Sequence, residues 1–277
     1  MYKQKSISGV SLAIRDTMVA YKNQSTLLER QIPSEFSIKI ANTLEERQAA
    51  FQLAYLVYLE KGFIKENYSE MLIRSYDNDE NTVILIVQDR QKNVVGSATI
   101  VFDEKSRLPA EKVYTEELNE LRKSNQVISE FSRLVISNKH RNSKEIIVLL
   151  FNYAAIYITQ VKSCDGLVVE VNPRHKNYYK ALLSFDELGK EKPCPQVQNM
   201  PGVLLYLPIK RYNEIIKQKD TFFSNEKKER SLYPYFLNAE QENLVAFYLR
   251  KQTKPMTVSE KIYFGISKSN NHMAVAY

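Results

Sequence analysis

Residues 127–137 read VISEFSRLVIS, 138–144 NKHRNSK, 145–162 EIIVLLFNYAAIYITQVK and 166–172 GLVVEVN. The first and last are apolar runs of strand length, and the third is hydrophobic nearly all round. Such a helix belongs in the centre of a domain. Two strands with a helix between them make a mixed α/β unit. The connection Asn138–Lys144 is polar and basic.

Working outward, Phe36–Ile40 alternates as a strand and Leu44–Lys61 turns helical, with Phe51, Ala54, Tyr55 and Tyr58 on one face and Gly62 as its stop. Thr82–Val87 and Val94–Phe102 form a hairpin about the polar turn Asp89–Asn93. After Leu108-Pro109 a short helix is predicted over Thr115–Lys123, with Glu116 and Glu117 in the first turn where the helix dipole favours acids. Pro173 opens a helix running to Leu183, and Val203–Leu207 is the last strand. Val10, Ile14, Met18 and Tyr21 predict an N-terminal helix. The tail carries helical patterns over Tyr212–Lys219 and Ala239–Lys251, with Pro234 and Pro255 as breaks. It is too rich in aromatic rings for a disordered segment. Three regions result: an arm over 1–35, a domain over 36–209 and an extension over 210–277.

With 277 residues, 44% hydrophobic, the chain can bury a sizeable core. No apolar run reaches the roughly 20 residues of a membrane span. Arg15 and Asp16 interrupt any signal-peptide core. Cys164 and Cys194 make neither a disulfide framework nor a metal site. These features predict a soluble, reduced, cytoplasmic protein without a metal. The net charge of +7 is unevenly placed: residues 1–36 carry five basic and three acidic side chains, and 210–277 carry twelve and seven. A neutral middle therefore has basic flanks. These suit an acidic protein partner or peripheral contact with an anionic membrane. No nucleic-acid recognition motif accompanies them.

The segment order matches that of an acetyltransferase-like (GNAT) domain, in which two central strands splay apart to admit an acyl-thioester arm. Glu130-Phe131-Ser132-Arg133-Leu134 resembles the Glu-x-Ser-Arg-Phe signature of acyl-homoserine-lactone synthases. More motifs, in order, resemble the long-chain N-acyl amino acid synthases of that superfamily. They are Leu108-Pro109, Val113-Tyr114-x-Glu116-Glu117-Leu118 with Leu121-Arg122, and Val171-Asn172-Pro173-Arg174-His175 with Tyr178-Tyr179. Gly189-x-Glu191-x-Pro193-Cys194-Pro195 follows them. The resemblance covers about Phe36 to Ile209. It implies an α/β (α+β) GNAT-like fold: a mixed, mostly antiparallel sheet splayed between central strands and flanked by helices. The helical C-terminal extension is added to it. The implied activity is transfer of a fatty acyl group from an acyl carrier protein to the α-amine of an amino acid.

The chemistry assigns roles to residues. An attacking amine must lose a proton, and Glu130 and Glu170, on neighbouring strands, are the candidate bases. Arg133 joins them in one site only if a bulge intervenes, because strict alternation turns Glu130 and Arg133 to opposite faces. The structural alternative is an ion pair of Glu130 with Arg133 or another cation that only locks the strand. Backbone N–H groups of Leu134 and Val135, where the strands splay, are candidate oxyanion donors. Ser137, His140, Arg141, Asn142, Ser143 and Lys144, leading into the long helix, are candidates for the phosphopantetheine phosphate. The loop lacks the glycine-rich sequence of coenzyme-A-dependent acetyltransferases, which favours a carrier-bound arm over acyl-CoA. Ser132, Asn172, His175 and Tyr178 are candidate acceptor contacts. No tightly bound cofactor is expected. Two other functions fit the same segments: a lactone-type signal synthase, and a non-catalytic GNAT-fold protein that binds a lipid or partner. The helix Tyr55-Leu56-Val57-Tyr58 lacks the arginine expected nearby from the lactone synthases.

Overall fold

A computed structural model describes residues 35–104, 107–222 and 231–266. Residues 1–37 form one unit and 38–277 another. The N-terminal helix predicted from Val10 to Tyr21 lies outside the described residues. In chain order the elements are β1 (Ser37–Ile40), α1 (Leu44–Glu60), β2 (Val83–Gln88), β3 (Val94–Phe102), α2 (Glu111–Lys123) and β4 (Ile128–Ile136). There follow α3 (Lys144–Ile156), β5 (Gly166–Val171), α4 (Lys176–Leu183), β6 (Asp186–Cys194) and β7 (Met200–Pro208). The extension contributes α5 (Ile209–Phe222), α6 (Ala239–Gln252) and α7 (Val258–Tyr263).

Seven strands form one sheet in the order β1-β2-β3-β4-β5-β7-β6. The pairs β2–β3, β3–β4, β5–β7 and β6–β7 are antiparallel. The central pair β4–β5 is parallel and short: Ile128, Ser129 and Glu130 meet Gly166, Leu167 and Val168, and no pairing continues beyond. Past Glu130 and Val168 the two strands diverge.

Alternation along β2 divides the core. Ile84 and Ile86 pack under Ala50 and Phe51 of α1, whereas Val87 and Gly96 lie under Ile146 and Leu150 of α3. The two helices therefore cover opposite faces of the sheet. Thr43 caps α1 in a reciprocal capping box with Glu46, which satisfies backbone donors at both residues. Lys144–Val161 is apolar and long enough to cross a membrane by composition, with a mean hydropathy of 1.3. Here it is a core helix: Phe151 stacks on Phe131 of β4 at 4.7 Å. Asn152 within it bonds Glu242 and the Leu237 amide.

Three expectations are corrected. Helix α2 begins at Glu111 rather than Thr115, and Tyr114 kinks it (φ −120°, ψ 38°), so Glu111 and not Glu116 or Glu117 occupies its first turn. β6 was not expected as a strand. Its sequence DELGKEKPC is polar with a proline, and it pairs on one side only, at the sheet edge, where such residues are tolerated. Among the described residues the extension also carries a third helix, α7.

The extension packs on both faces. On the α3 side Glu242 of α6, 3% exposed, accepts from Tyr212 (2.7 Å) and Asn152 (3.2 Å). On the α1 side Phe264, just after α7, meets Phe51 edge-on at 5.0 Å, and Glu260 pairs with the buried Arg47.

Candidate active site

A bulge in β4 builds the site. Ser97 pairs with Val135 and Thr99 with Ser132, so Arg133 and Leu134 together oppose Ala98. Arg133 has φ +51°, a left-handed conformation that costs a non-glycine residue about 1–3 kcal/mol. The extra residue turns Arg133 onto the face already occupied by Glu130 and Ser132, where its guanidinium lies over the Phe51 ring at 5.0 Å. Phe131 points the other way, into α3.

Glu130, Ser132 and Arg133 line a cleft of about 130 Å³ between the diverging strands, with Glu170 and Asn172 from the β5 side. Arg74, Tyr76, Tyr58, Cys194, Gln196 and Gly202 complete much of its wall. Cavities that enclose drug-sized ligands measure roughly 300–1,000 Å³, and this one is small beside them.

The alternative Glu130–Arg133 ion pair does not form. Glu130 Oε2 accepts the Ala110 amide at 2.8 Å. Arg133 instead grips Asp77 by two bonds of 2.6 and 2.8 Å, the Leu72 carbonyl at 2.9 Å and Thr99 Oγ1 at 2.9 and 3.2 Å. Its five N–H groups are all occupied, so it braces the cleft wall and has no donor left for a ligand.

The two glutamates differ in surroundings. Burial holds the Glu130 carboxyl well above the usual carboxylate range. The Ala110 amide opposes the shift, and the charges of Glu170 and Glu111 add to it. Burial also raises Glu170, countered by a hydrogen bond from the Cys194 thiol. That thiol is itself pushed up to about 12 by burial and the neighbouring carboxylate, so it is no ready nucleophile. Glu170 Oε1 is buried and makes no hydrogen bond. It lies directly over Gly202, where an added Cβ would overlap it. A raised carboxyl pKa makes a better proton acceptor, which is what an amine attacking an acyl group needs.

Other residues expected at the site lie elsewhere. His175 and Tyr178 are surface residues outside the cleft wall. The His175 ring hydrogen-bonds Arg174. Burial, then Arg174 and Lys61, lower its pKa. Leu134 lies within the bulge and Val135 follows it, on the diverging half of β4. Ser137 and His140 bond each other at 2.9 Å (Ser137 Oγ to His140 Nδ1), Asn138 binds Glu60, and Ser143 caps α3 through the Ile146 amide. Arg141, Asn142 and Lys144 are exposed, with the Lys144 ammonium 3.6 Å from the Tyr235 ring centre. Sequence reading missed Arg74, Asp77, Tyr58, Tyr76 and Gln196, and it left Cys194 as structural. The one available signal was Cys194, inside a quoted motif.

The model of the family described as N-acyl amino acid synthase FeeM matches residues 49–208. The chain belongs to that family. The solved structure of FeeM, an N-acyl amino acid synthase from uncultured soil microbes, matches with a TM-score of 0.56 at 19% identity. The match covers 73% of this chain and 97% of that one. The acyl-homoserine-lactone synthase LasI matches with a TM-score of 0.50 at 18% identity, covering 64% and 91%. No curated protein matches the chain. The fold is GNAT-like, and the protein is an N-acyltransferase that takes an acyl donor substrate. FeeM-family motifs acquire structural meaning here. Tyr114 lies against Gly189, where a Cβ would come within 2.5 Å of its ring, and donates to the Gly202 carbonyl at 2.7 Å. Arg122 binds Asp103 and Glu111, tying α2 to the end of β3.

Proposed function

We propose that the protein moves a long-chain fatty acyl group from an acyl carrier protein thioester to the α-amine of an amino acid. The observation that carries this reading is the pair Glu130 and Glu170. They face one small cleft from two diverging strands, and burial raises both carboxyls. The neutral amine nitrogen attacks the thioester carbonyl, one of these carboxylates takes the proton that the nitrogen sheds as the C–N bond forms, and that proton passes to the thiolate as the C–S bond breaks. In this reading the backbone amides of Leu134 and Val135, beside the bulge, receive the oxyanion. The splay beyond Glu130 and Val168 admits the phosphopantetheine arm. Exposed Lys139, Arg141 and Lys144 at the start of α3 give its phosphate and an acidic carrier a cationic approach.

Mass spectrometry of lipid extracts from cells expressing the protein, against an empty vector, tests the reaction. New masses equal to a fatty acyl group plus an amino acid support it. Purified protein supplied with palmitoyl carrier protein or palmitoyl-CoA, each with the twenty amino acids, then separates the donors. Turnover confined to the CoA thioester rejects the carrier.

A further inference from the structure

Two arginines face the cleft, and their situations are opposite. Arg133 spends every guanidinium N–H on Asp77, Thr99 and Leu72. Arg74 has one side-chain hydrogen bond, from Nη2 to the Gln196 carbonyl at 3.0 Å. It has no ion pair among the described residues. Its backbone is fixed all the same: the Arg74 amide donates to Asp77 Oδ2 at 2.7 Å, the carboxylate that also anchors Arg133. Gln196 is held in turn, because its side-chain amide donates to the Pro109 carbonyl at 2.8 Å. One edge of the Arg74 guanidinium is thus pinned to a fixed carbonyl, and the group lines the cleft.

The charges of the cleft make this consequential. Glu130 and Glu170 offer an anion no positive charge, and Arg133 is neutralised by Asp77. A ligand carboxylate therefore has one cation to meet, presented as a planar fork with donors to spare. Arg74 and Glu170 also serve the same small space, whose wall Tyr58 and Cys194 share with them. A group that carries an amine and a carboxylate on one carbon matches this juxtaposition, with the amine toward the glutamates and the carboxylate toward the arginine.

We infer that Arg74 is the clamp for the acceptor's carboxylate, so that the enzyme selects free α-amino acids over amines and amides. The inference rests on the acyl-transfer reading above and adds the residue that defines the acceptor class. Loss of one charge-assisted hydrogen-bonded contact corresponds to a change of roughly ten- to hundredfold in affinity.

The test is acceptor kinetics at saturating acyl donor. The preferred amino acid is compared with its primary amide, with KM expressed on the free amine, for wild type, Arg74→Lys and Arg74→Gln. Wild type is expected to favour the amino acid by ten- to hundredfold in kcat/KM. Arg74→Gln should erase that preference by raising KM for the amino acid while leaving kcat, and both constants for the amide, within about twofold. Arg74→Lys should recover part of it. Unchanged amide turnover also shows that the variant is folded. The clamp is overturned if wild type accepts both compounds equally, if Arg74→Gln keeps the preference, or if it loses both substrates alike through kcat. If wild type transfers no acyl group to any amino acid, the acyl-transfer reading falls and the clamp falls with it.

Discussion

Arg133 and Asp77 meet in a two-point ion pair, Nη2 to Oδ1 at 2.6 Å and Nη1 to Oδ2 at 2.8 Å. Both side chains are almost wholly buried, at 4% and 0% exposed. Asp77 belongs to a short turn after α1, Arg133 to the bulge of a central strand. The pair holds Arg133 in a left-handed conformation that its own backbone disfavours, and so maintains the bulge beside Glu130. It also frees Glu130 from the role of counter-ion.

Removing one partner therefore strands a buried charge. Asp77→Ala is expected to destabilise the protein by about 3–5 kcal/mol, read as a fall in the urea midpoint at unchanged slope. A loss below about 1 kcal/mol would show that the bulge stands without the pair.

The glutamates should govern activity. Replacing a general base typically costs 10²–10⁴ in rate, so Glu130→Gln or Glu170→Gln is expected to lose about that much acyl transfer. Wild-type kcat/KM should rise with pH along a limb whose pKa lies above the ordinary carboxylate range, as burial of both groups requires. Full activity in both variants at neutral pH would refute the general-base assignment.

The same burial makes Glu130 a stability cost that depends on pH. Its folded pKa is raised, so its proton is kept on folding below the unfolded-state value of about 4.3. Stability is lost as pH climbs from there through the folded value. Glu130→Gln retains an acceptor for the Ala110 amide and escapes this loss. Thermal melts should show the variant more stable than wild type at pH 8, with the difference shrinking toward pH 4. An equal shift at both pH values contradicts the prediction.

Gly202 lies beneath Glu170 with no space for a Cβ. Gly202→Ala should displace that carboxylate and reduce kcat at least about tenfold, the scale on which catalytic geometry matters. The circular dichroism spectrum should remain native. Wild-type kcat in this variant would mean that Glu170 need not be held in place.

Glu242 accepts from Tyr212, Asn152 and Gln160 (2.7, 3.2 and 3.4 Å) beneath α6. Glu242→Ala takes that acceptor from the buried Tyr212 and Asn152, at about 1–3 kcal/mol. The expected outcome is faster limited proteolysis within the extension, while the 38–208 body resists. Unaltered cleavage would show that apolar packing alone docks the helix.

Local pattern carried most of the fold. Strands β2, β3, β4, β5 and β7 and helices α1, α3 and α6 all bury continuous or periodic apolar residues, and a buried face writes its period into the sequence. β6 escaped because an edge strand needs no such period, and the start of α2 escaped because Tyr114 interrupts its helical geometry. Of the site, Glu130, Ser132, Arg133, Glu170 and Asn172 were legible through the motif and through acids set in apolar strands.

The chain's own order of residues determined a central apolar helix between two strands, a neutral body with basic flanks, and a motif placing Glu130 and Arg133 three residues apart. Tertiary structure decided what those residues do. A register slip of one residue against β3 put Arg133 beside Glu130. Asp77, fifty-six positions earlier, took that arginine out of use, and Arg74 was left in the cleft wall without an ion pair among the described residues. The physical reason is range. Hydrophobic periodicity is set by neighbours one turn or one pleat away, whereas the pairing of a buried charge depends on which distant loop the folded sheet brings against it.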